Sequence, residues 1–403
     1  MTHTTSGDGR RVVVVGAGIA GACVADHLAR ETECDVVVLD RAADSGTETT
    51  AKSGGFVGFW GHESPACVPL LGYGMRYYQR LLSGTDPPAR FVHGGRLRVA
   101  TTAAGDADVR ADFADAFGRS TDGETTTECL GAPVQYLPGD RLGETLVLPG
   151  LDTGAVTGAL YSPGVGHIDD PGSLSRGVLD RATSNGATVR TNATVTGLST
   201  PTGEATTVHV EGDAVDQQAD AVVAAAGPWN RPLLESAGVS LPVRNTRGPM
   251  LALDGEHHGL PALFHEESGV YTRQNRDGTR YVGHFPGQYD AASVLDPDDV
   301  PTTVSSSRRA SCLDAVADLC PAMRDAAVVD DWVGVRQVTP DGDPIVDEAD
   351  VDGLSVVAFN ANGIQYAPAA GRIIADQITG REPSLPDAGV AFDRFEDSQF
   401  ERQ

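Results

Sequence analysis

The chain begins with two short apolar runs separated by a stretch whose apolar residues recur at helical spacing. Arg11–Val15 ends at Gly16, residues 19–30 carry the helical repeat, and Asp35–Leu39 is closed by Asp40. Apolar runs of this length, bounded by a glycine turn and a polar residue, are typical of buried strands. The first forty residues therefore predict a strand–turn–helix–strand unit, the βαβ arrangement of a parallel sheet.

Further along the chain, segments with this strand and helix pattern alternate with segments in which strands predominate. Helices are predicted at 70–82, 171–185, 311–319 and 364–378, with one or two solvated helices in the acidic stretch 106–128. Strands are predicted at 91–100, 134–148, 187–190, 195–198, 207–211, 219–226 and 353–359, and the alternation from 241 to 284 indicates an antiparallel sheet. No repeat or low-complexity linker marks a boundary, so we expect two interleaved domains.

The turn after the first predicted strand has the pattern G-x-G-x-x-G, formed by Gly16, Gly18 and Gly21. It follows a strand, opens a helix and precedes Asp40, as dinucleotide-binding turns do. In such sites the glycines allow a tight turn, close approach of the pyrophosphate and close packing of helix on strand. The helix N-terminus attracts the phosphates, and Asp40 would accept hydrogen bonds from the ribose hydroxyls.

This motif serves both NAD and FAD, and two other segments favour FAD. The glycine-rich segment 49–58 and the closing segment 357–375 have the form of pieces that fold back onto an isoalloxazine ring. The predicted strand 353–359 leads into a helix whose N-terminus can face the negative N1–C2=O edge of a reduced flavin. NAD enzymes that begin with a βαβ unit do not need such a return.

The charge balance argues against partners that require a positive surface. The 403 residues include 56 Asp and Glu against 30 Lys and Arg, a net charge of −26, and Lys52 is the single lysine. Nucleic acids and anionic membranes are bound through basic patches, so neither is an expected partner. This surplus of negative charge repels itself in dilute buffer, but at molar salt the Debye length falls to about 3 Å and the repulsion is screened. An aspartate-rich, nearly lysine-free chain is therefore typical of a protein from the cytosol of a halophile.

No membrane span, secretory signal or metal site is predicted. The longest apolar stretches are shorter than the ~18 residues a transmembrane helix needs, and the polar N-terminus lacks the apolar core of a signal. The six cysteines have no C-x-x-C spacing, and the histidines show no metal-ligand spacing with acidic or sulfur partners. We expect a cytoplasmic protein whose cysteines are mostly buried.

Longer motifs, in the right order, resemble the FAD-dependent D-amino acid oxidase superfamily, which includes glycine oxidase, sarcosine oxidase and the D-amino acid dehydrogenases. They are GAGIAGACVADHLA…VVVLD, ADAVVAAAGPWNRPLLESAGV, LPVRNTRGPML, VYTRQNRDGTRYVG, WVGVRQVTPDGDPIVDE and FNANGIQYAPAAGRIIADQITG. The resemblance implies an α/β protein in which a Rossmann-like FAD-binding domain (1–88, 159–232 and 331–385) is interleaved with an α+β substrate domain (89–158 and 233–330) built on an antiparallel sheet. Residues 386–403 would form a tail.

The resemblance also assigns residues to FAD. These are Gly16, Gly18, Ile19, Ala20, Gly21, Asp40 and Arg41 at the ADP moiety, Val195 at the adenine, Ala226, Gly227 and Trp229 in the middle, Lys52, Ser53, Gly54 and Gly55 beside the flavin ring, and Gly334, Asn362, Gly363, Ile364 and Gln365 at its pyrimidine end. Some relatives link the flavin to a cysteine, but residues 332–338 contain none, so FAD should be non-covalent. Gln365 stands where some oxidases have a lysine, which leaves the reaction with oxygen open.

Four residues are candidates for contact with the substrate or the reacting atoms. Arg336, in G-V-R, matches the family arginine expected to bind a carboxylate, for which a planar, permanently charged fork is suited. Tyr271 matches a family tyrosine whose hydroxyl holds the carboxylate or whose ring covers the flavin, with packing on the sheet as the alternative. Arg273 shares its strand face and would be a second anion contact. Lys52 would donate a hydrogen bond to flavin N5 or to developing negative charge. Trp60 and His62 are further candidates for the pocket wall.

The implied activity is oxidation of the C–N bond of a small amino acid or N-methyl amino acid by hydride transfer to flavin N5, with hydrolysis of the imine. One alternative is a 2-hydroxyacid or glycerol-phosphate-type dehydrogenase, and another is an FAD-bearing subunit of a larger complex. The partner would be a small carboxylate-bearing substrate. The sequence leaves open whether the electron acceptor is oxygen or a quinone or carrier.

Overall fold

The computed structural model describes residues 9–59, 63–118, 123, 125–202, 205–212, 216–255, 260–285 and 295–395. Its strands are β1 (Arg11–Val15), β2 (Asp35–Leu39), β3 (Phe56–Val57), β4 (Phe91–His93), β5 (Arg96–Ala100), β6 (Thr125–Cys129), β7 (Ala132–Pro138), β8 (Gly158–Ser162), β9 (Gly166–Ile168), β10 (Thr188–Arg190), β11 (Val195–Ser199), β12 (Thr206–Val210), β13 (Gln217–Ala219), β14 (Ala221–Ala224), β15 (Arg244–Leu253), β16 (Ala262–His265), β17 (Val270–Gln274), β18 (Arg280–His284), β19 (Val328–Val338), β20 (Ile345–Glu348) and β21 (Leu354–Ala358). Its helices are α1 (Ile19–Glu31), α2 (Val68–Leu81), α3 (Ala103–Phe117), α4 (Gly139–Thr145), α5 (Pro171–Ser184), α6 (Asn230–Glu235), α7 (Ser306–Leu319) and α8 (Gly363–Thr379).

A mostly parallel sheet contains the glycine turn. Its strand order is β10–β2–β1–β14–β21–β20, parallel as far as β21 and antiparallel between β21 and β20. The central strands are apolar on both faces because both faces are covered. Val12 and Val14 belong to a core shared with α1, α5 and α8, whereas Val13 and Val15 belong to one shared with α6 and the small sheet β11–β12–β13. The Rossmann-like arrangement expected from the sequence is confirmed.

A second, larger sheet has the order β19–β15–β18–β17–β16–β5–β8–β7–β6 among the described residues. Its pairs are antiparallel except for β16 with β5, where Ala262 lies beside Arg96 in parallel register. Helix α7 and the segments around α4 cover this sheet with a third apolar core. Strands β8 and β19 join it, although the predicted boundaries assign most of their residues to the FAD-binding domain; those boundaries stay a prediction.

Two local predictions in and after the acidic region are correct only for their first parts, which form α3 and β7. The helix predicted over 106–128 ends at Gly118, which takes the left-handed conformation (φ 61°), and the β-branched run at Thr125 begins β6 instead. The strand predicted over 134–148 stops at Pro138, and α4 follows it. Both corrections lie on the far edge of the larger sheet.

Within the described ranges, no helix is long and apolar enough to cross a membrane, and no group of three or more His, Cys, Asp or Glu side chains could hold a metal ion.

Candidate active site

A cavity of about 350 Å³ lies at the carboxyl ends of β1, β2 and β14. We call it the large cavity, to distinguish it from a smaller cavity beside it. Open α/β sheets bind their ligands at this edge. Most of the residues assigned to FAD from the sequence line it: Gly16, Gly18, Ile19, Ala20, Asp40, Arg41, Ser53, Val195, Ala226, Gly227, Trp229, Gly363 and Ile364. Residues that are up to 348 positions apart in the chain are therefore brought together around one space.

The glycine turn has the close contacts that its motif requires. Gly16 has φ +105°, and a Cβ there would lie 2.5 Å from the carbonyl oxygen of Ala225. A Cβ at Gly21 would lie 1.9 Å from the carbonyl oxygen of Gly16, so Gly21 serves packing and does not line the cavity. Helix α1 starts beside the cavity without a side-chain cap, and the Ile19 N–H donates to the Thr50 hydroxyl (3.1 Å).

Asp40 is held at the cavity wall by two backbone hydrogen bonds. Its Oδ2 accepts from the N–H of Ala17 (2.6 Å) and its Oδ1 from that of Ala42 (2.8 Å). Each carboxylate oxygen has a further lone pair. The predicted contact with ribose hydroxyls is compatible with this orientation and stays a prediction.

A second, smaller cavity of about 70 Å³ adjoins the first. Ser53, Arg336, Ala361 and Ile364 line both cavities. The remaining lining residues are Gly54, Gly55, Phe56, Phe264, Tyr271, Phe285 and Asn362. Aromatic rings and one guanidinium thus surround the small cavity, and no carboxylate side chain is among its described lining residues.

Arg336 is fixed at the junction of the two cavities. Its Nη2 donates to the backbone carbonyls of Arg247 (3.1 Å) and His284, and its guanidinium lies over the ring of Phe285 at 4.6 Å. Its Nε is buried and has no hydrogen-bond partner in the described chain. Burial lowers the pKa of Arg336 to about 10, so the group is still cationic at neutral pH.

Tyr271 contributes its ring to the small cavity, while its hydroxyl points elsewhere. The hydroxyl donates to the sulfur of Met250 (3.1 Å), and the ring meets that of Phe56 edge-on at 5.8 Å. Burial raises the pKa of Tyr271 despite the nearby charges of Arg336 and Arg273. The structure therefore places the ring, and not the hydroxyl, where a ligand would be.

Arg273 lies behind the wall of the small cavity and lines neither space. Its Nε donates to the carbonyl of Gly54 (2.6 Å), its Nη1 donates to Asn275, and its guanidinium covers the ring of Tyr281 at 4.7 Å. Only 1 % of Arg273 is exposed. Arg273 therefore fixes the backbone at Gly54, in the segment that the family resemblance assigns to the flavin ring. Because it lines neither cavity, its position does not support the second anion contact expected from the sequence.

Four other residues assigned from the sequence also lie outside both linings. The Lys52 ammonium donates to Glu48 (3.0 Å) in a half-exposed pair, and the Lys52 carbonyl accepts from the indole of Trp332. Gly334 packs against Lys52, where a Cβ would be 3.2 Å from the Lys52 Cβ. Gln365 is fully buried and accepts from the Gly58 N–H (3.3 Å). Gly21 serves helix packing, as described above. Trp60 and His62 lie outside the described residues.

Gln337 and Asp298 line the large cavity and were not found from the sequence. The side-chain nitrogen of Gln337 is buried and has no partner in the described chain. Its position directly after Arg336 argued against such a role, because consecutive strand residues normally face opposite sides, and no other sequence signal marked it. Asp298 carries no sequence signal, since it lies in the segment between β18 and α7 and reaches the cavity only through the fold.

The residues present fit a flavin dinucleotide. Gly18 gives α1 no side-chain cap, which leaves room for a pyrophosphate at the start of the helix. The buried side-chain nitrogen of Gln337 and the Nε of Arg336 have no acceptor among the described residues. None of the six cysteines lines either cavity. A parallel sheet with this turn, joined to a second cavity that holds one guanidinium, defines a dinucleotide-binding oxidoreductase.

Comparison with known proteins narrows this class. The family model described as FAD dependent oxidoreductase (DAO) matches residues 11–377, and the chain belongs to that family, whose cofactor is FAD. It is 28% identical to glycine oxidase of Pseudomonas aeruginosa, with 94% of this chain and 98% of that protein covered. It is 27% identical to D-amino acid dehydrogenase of Methylobacterium nodulans, with 96% and 99% covered.

Solved structures agree with the sequence relatives. Glycine oxidase from Geobacillus kaustophilus superposes with a TM-score of 0.78 at 26% identity, covering 96% of this chain and 100% of that one. L-proline dehydrogenase from P. horikoshii also gives 0.78, at 19% identity, which shows a shared fold only. One family architecture therefore accounts for residues 11–377 of the chain.

Proposed function

We propose that the protein oxidises the C–N bond of a small amino acid or N-methyl amino acid, with FAD as the primary hydride acceptor. The resulting imine is hydrolysed by water to a 2-oxo acid, or to glyoxylate, and the free amine. Glycine oxidase and D-amino acid dehydrogenase relatives over nearly the full chain support this reaction class.

The observation that carries the proposal is the position of Arg336. Its guanidinium lines both cavities, is charged at neutral pH and keeps a buried, unpartnered Nε. A planar cation of this kind binds carboxylates through paired hydrogen bonds. A substrate held there by its carboxylate would have its α-carbon next to the large cavity.

The small cavity also favours a neutral amine. No carboxylate side chain is among its described lining residues, and Arg336 adds positive charge. An ammonium group bound there would lack an anionic partner and would be disfavoured by burial. The chain's own residues therefore select the deprotonated amine, from which a hydride can leave.

The residues that would hold FAD are those of the large cavity, with the glycine turn and α1 at the phosphates and Ser53, Gly363 and Ile364 near the small cavity. When bound, FAD accepts the hydride. The protein's part is to orient the α-carbon through Arg336 and to exclude water with the rings of Phe56, Phe264 and Phe285. Since no cysteine lines either cavity, we propose that FAD is bound non-covalently.

The experiment is anaerobic titration of the holoprotein with glycine, sarcosine, proline, D- and L-alanine, lactate and glycerol 3-phosphate, followed by flavin absorbance. We expect bleaching by an amino acid or N-methyl amino acid, with a reduction rate that rises with pH as the amine loses its proton. Bleaching only by lactate or glycerol 3-phosphate would establish the C–O alternative. No bleaching by any of them would contradict the proposal.

Admission of air after bleaching decides the electron acceptor. Recovery of the oxidised spectrum within the turnover time identifies an oxidase. Slow recovery in air, with fast recovery on addition of a soluble quinone, identifies a dehydrogenase.

A further inference from the structure

Three side chains from separate segments meet at the end of the large cavity next to Asp40. Arg41 follows β2, Trp229 follows β14, and Asp298 lies between β18 and α7. All three line the cavity. We call this group the rim cluster.

Asp298 contacts both of its partners. One carboxylate oxygen accepts from Nη1 of Arg41 (2.7 Å), and the other accepts from the indole N–H of Trp229 (3.1 Å). The Arg41 guanidinium lies over the Trp229 ring, with its carbon 3.8 Å from the ring centre. Each pair of the three is therefore in contact, which fixes a cation, an indole and a carboxylate as one wall of the cavity.

The segment that carries Asp298 is anchored independently. The Asp298 N–H donates to the Asp296 carboxylate (2.9 Å), which holds the local turn. The buried amide nitrogen of Asn245 donates to the carbonyls of both Pro228 and Leu295 (3.1 and 3.2 Å). This one amide connects the segment before Trp229 to the segment before Asp298. It therefore fixes the distance between the two segments that carry these members of the rim cluster.

We propose that Asp298 is a positioning residue for the cofactor: it locks Arg41 and Trp229 against the dinucleotide and slows FAD release. Removing its carboxylate would free the Arg41 side chain and leave the Trp229 N–H without its acceptor. The wall would then open without any change in the glycine turn. This inference concerns retention of FAD and does not depend on the substrate proposed above.

The contacts within the rim cluster do not depend on charge alone, so they should persist at high salt. Arg41 and Asp298 are 37% and 58% exposed, and a pair held by charge alone at that exposure would be screened in molar salt. The hydrogen bond from the neutral indole and the stacking of guanidinium on ring persist without long-range attraction. We therefore expect the retention to persist at high salt.

The test measures the release of FAD from the holoprotein after dilution, by the rise of free FAD fluorescence, in 0.2 M and 2 M KCl. Asp298→Ala should release FAD about tenfold faster at both salt concentrations, the loss expected for two hydrogen bonds to a charged group at a partly exposed site. Asp298→Asn keeps an acceptor for the indole and should fall between Asp298→Ala and the unmodified protein.

Asp299→Ala is the matched control, because it removes an adjacent exposed acid and should change the release rate less than twofold. Tryptophan emission and thermal unfolding of each variant would show whether the wall or the whole fold has changed. Unchanged release from Asp298→Ala would overturn the proposal, as would equal acceleration by Asp299→Ala, which would indicate a general charge effect. Neither result bears on which substrate reduces the flavin.

Discussion

The guanidinium of Arg336 lies over the ring of Phe285, with 4.6 Å between the guanidinium carbon and the ring centre. The Nη2 of Arg336 also donates to the carbonyl of Arg247. The two contacts hold a cation at the junction of the two cavities. The side chain is therefore oriented before any ligand arrives, which reduces the conformational entropy lost when a carboxylate binds.

Arg336→Leu should lower kcat/KM for the bleaching substrate by about 10- to 100-fold, because a charge-assisted contact to a carboxylate is worth about 1.5–3 kcal/mol. Arg336→Lys should recover part of this, since it restores charge but not the planar fork. Steady-state kinetics measure both. Arg247→Leu is the control: its exposed side chain is lost while its backbone carbonyl remains. An equal loss in Arg247→Leu would show that net charge, and not the position of Arg336, matters.

Tyr271→Phe should leave KM within about twofold of the unmodified value, since the lost hydroxyl donates to Met250 and not to the cavity. A sulfur acceptor is weak, so little stability is expected to be lost. Tyr271→Ala should raise KM because it removes a wall of the small cavity. A large increase of KM in Tyr271→Phe would restore the role of the hydroxyl in carboxylate binding that the family resemblance implies.

Lys52→Ala should change the rate of flavin reduction by less than about threefold. The ammonium pairs with Glu48, which lines the large cavity, but Lys52 itself lines neither cavity. An exposed ion pair of this kind contributes only about 0.2–1 kcal/mol. The backbone carbonyl that accepts from Trp332 is unaffected by the substitution. Stopped-flow reduction checks this, and a slowing of tenfold or more would support the direct contact with N5 predicted from the sequence.

His167→Phe should make the free energy of unfolding less dependent on pH between 6.5 and 4. Burial, with a contribution from the charge of Arg273, lowers the pKa of His167 to about 2 in the folded protein. The unfolded chain therefore takes up this proton first as the pH falls below about 6.5, and stability is lost progressively towards pH 2 at up to about 1.4 kcal/mol per pH unit. Denaturant unfolding of the holoprotein at several pH values measures the slope, and identical slopes would contradict the prediction.

The parallel sheet and the large cavity could be predicted because their signals are local. The turn at Gly16 has steric requirements that few residues meet, and apolar runs such as Arg11–Val15 need cover on both faces. The return of the chain to the cavity at Gly363 was predicted from the family resemblance, and the structure places it there.

The directions of side chains could not be predicted in the same way. Sequence proximity placed Lys52 and Arg273 beside the flavin, but neither lines a cavity: Lys52 pairs with Glu48, a wall residue of the large cavity, and Arg273 donates to the carbonyl of Gly54, a wall residue of the small one. The contact between Arg41 and Asp298 joins residues 257 positions apart and depends on how two sheets meet. The spacing of apolar residues along the sequence carries no information about such a contact.

The larger sheet encloses positive charge that does not respond to ordinary changes of pH. Arg273 and Arg280 are buried and Arg336 is partly buried, yet burial lowers the pKa of each only to about 10. The exterior is strongly acidic, with a net charge of −26 for the whole chain. The anionic form of an amino acid substrate, with its amine deprotonated, must therefore cross a repulsive shell before it reaches an attractive interior. Its association rate should increase when salt screens that shell, whereas the short-range binding at Arg336 is much less affected.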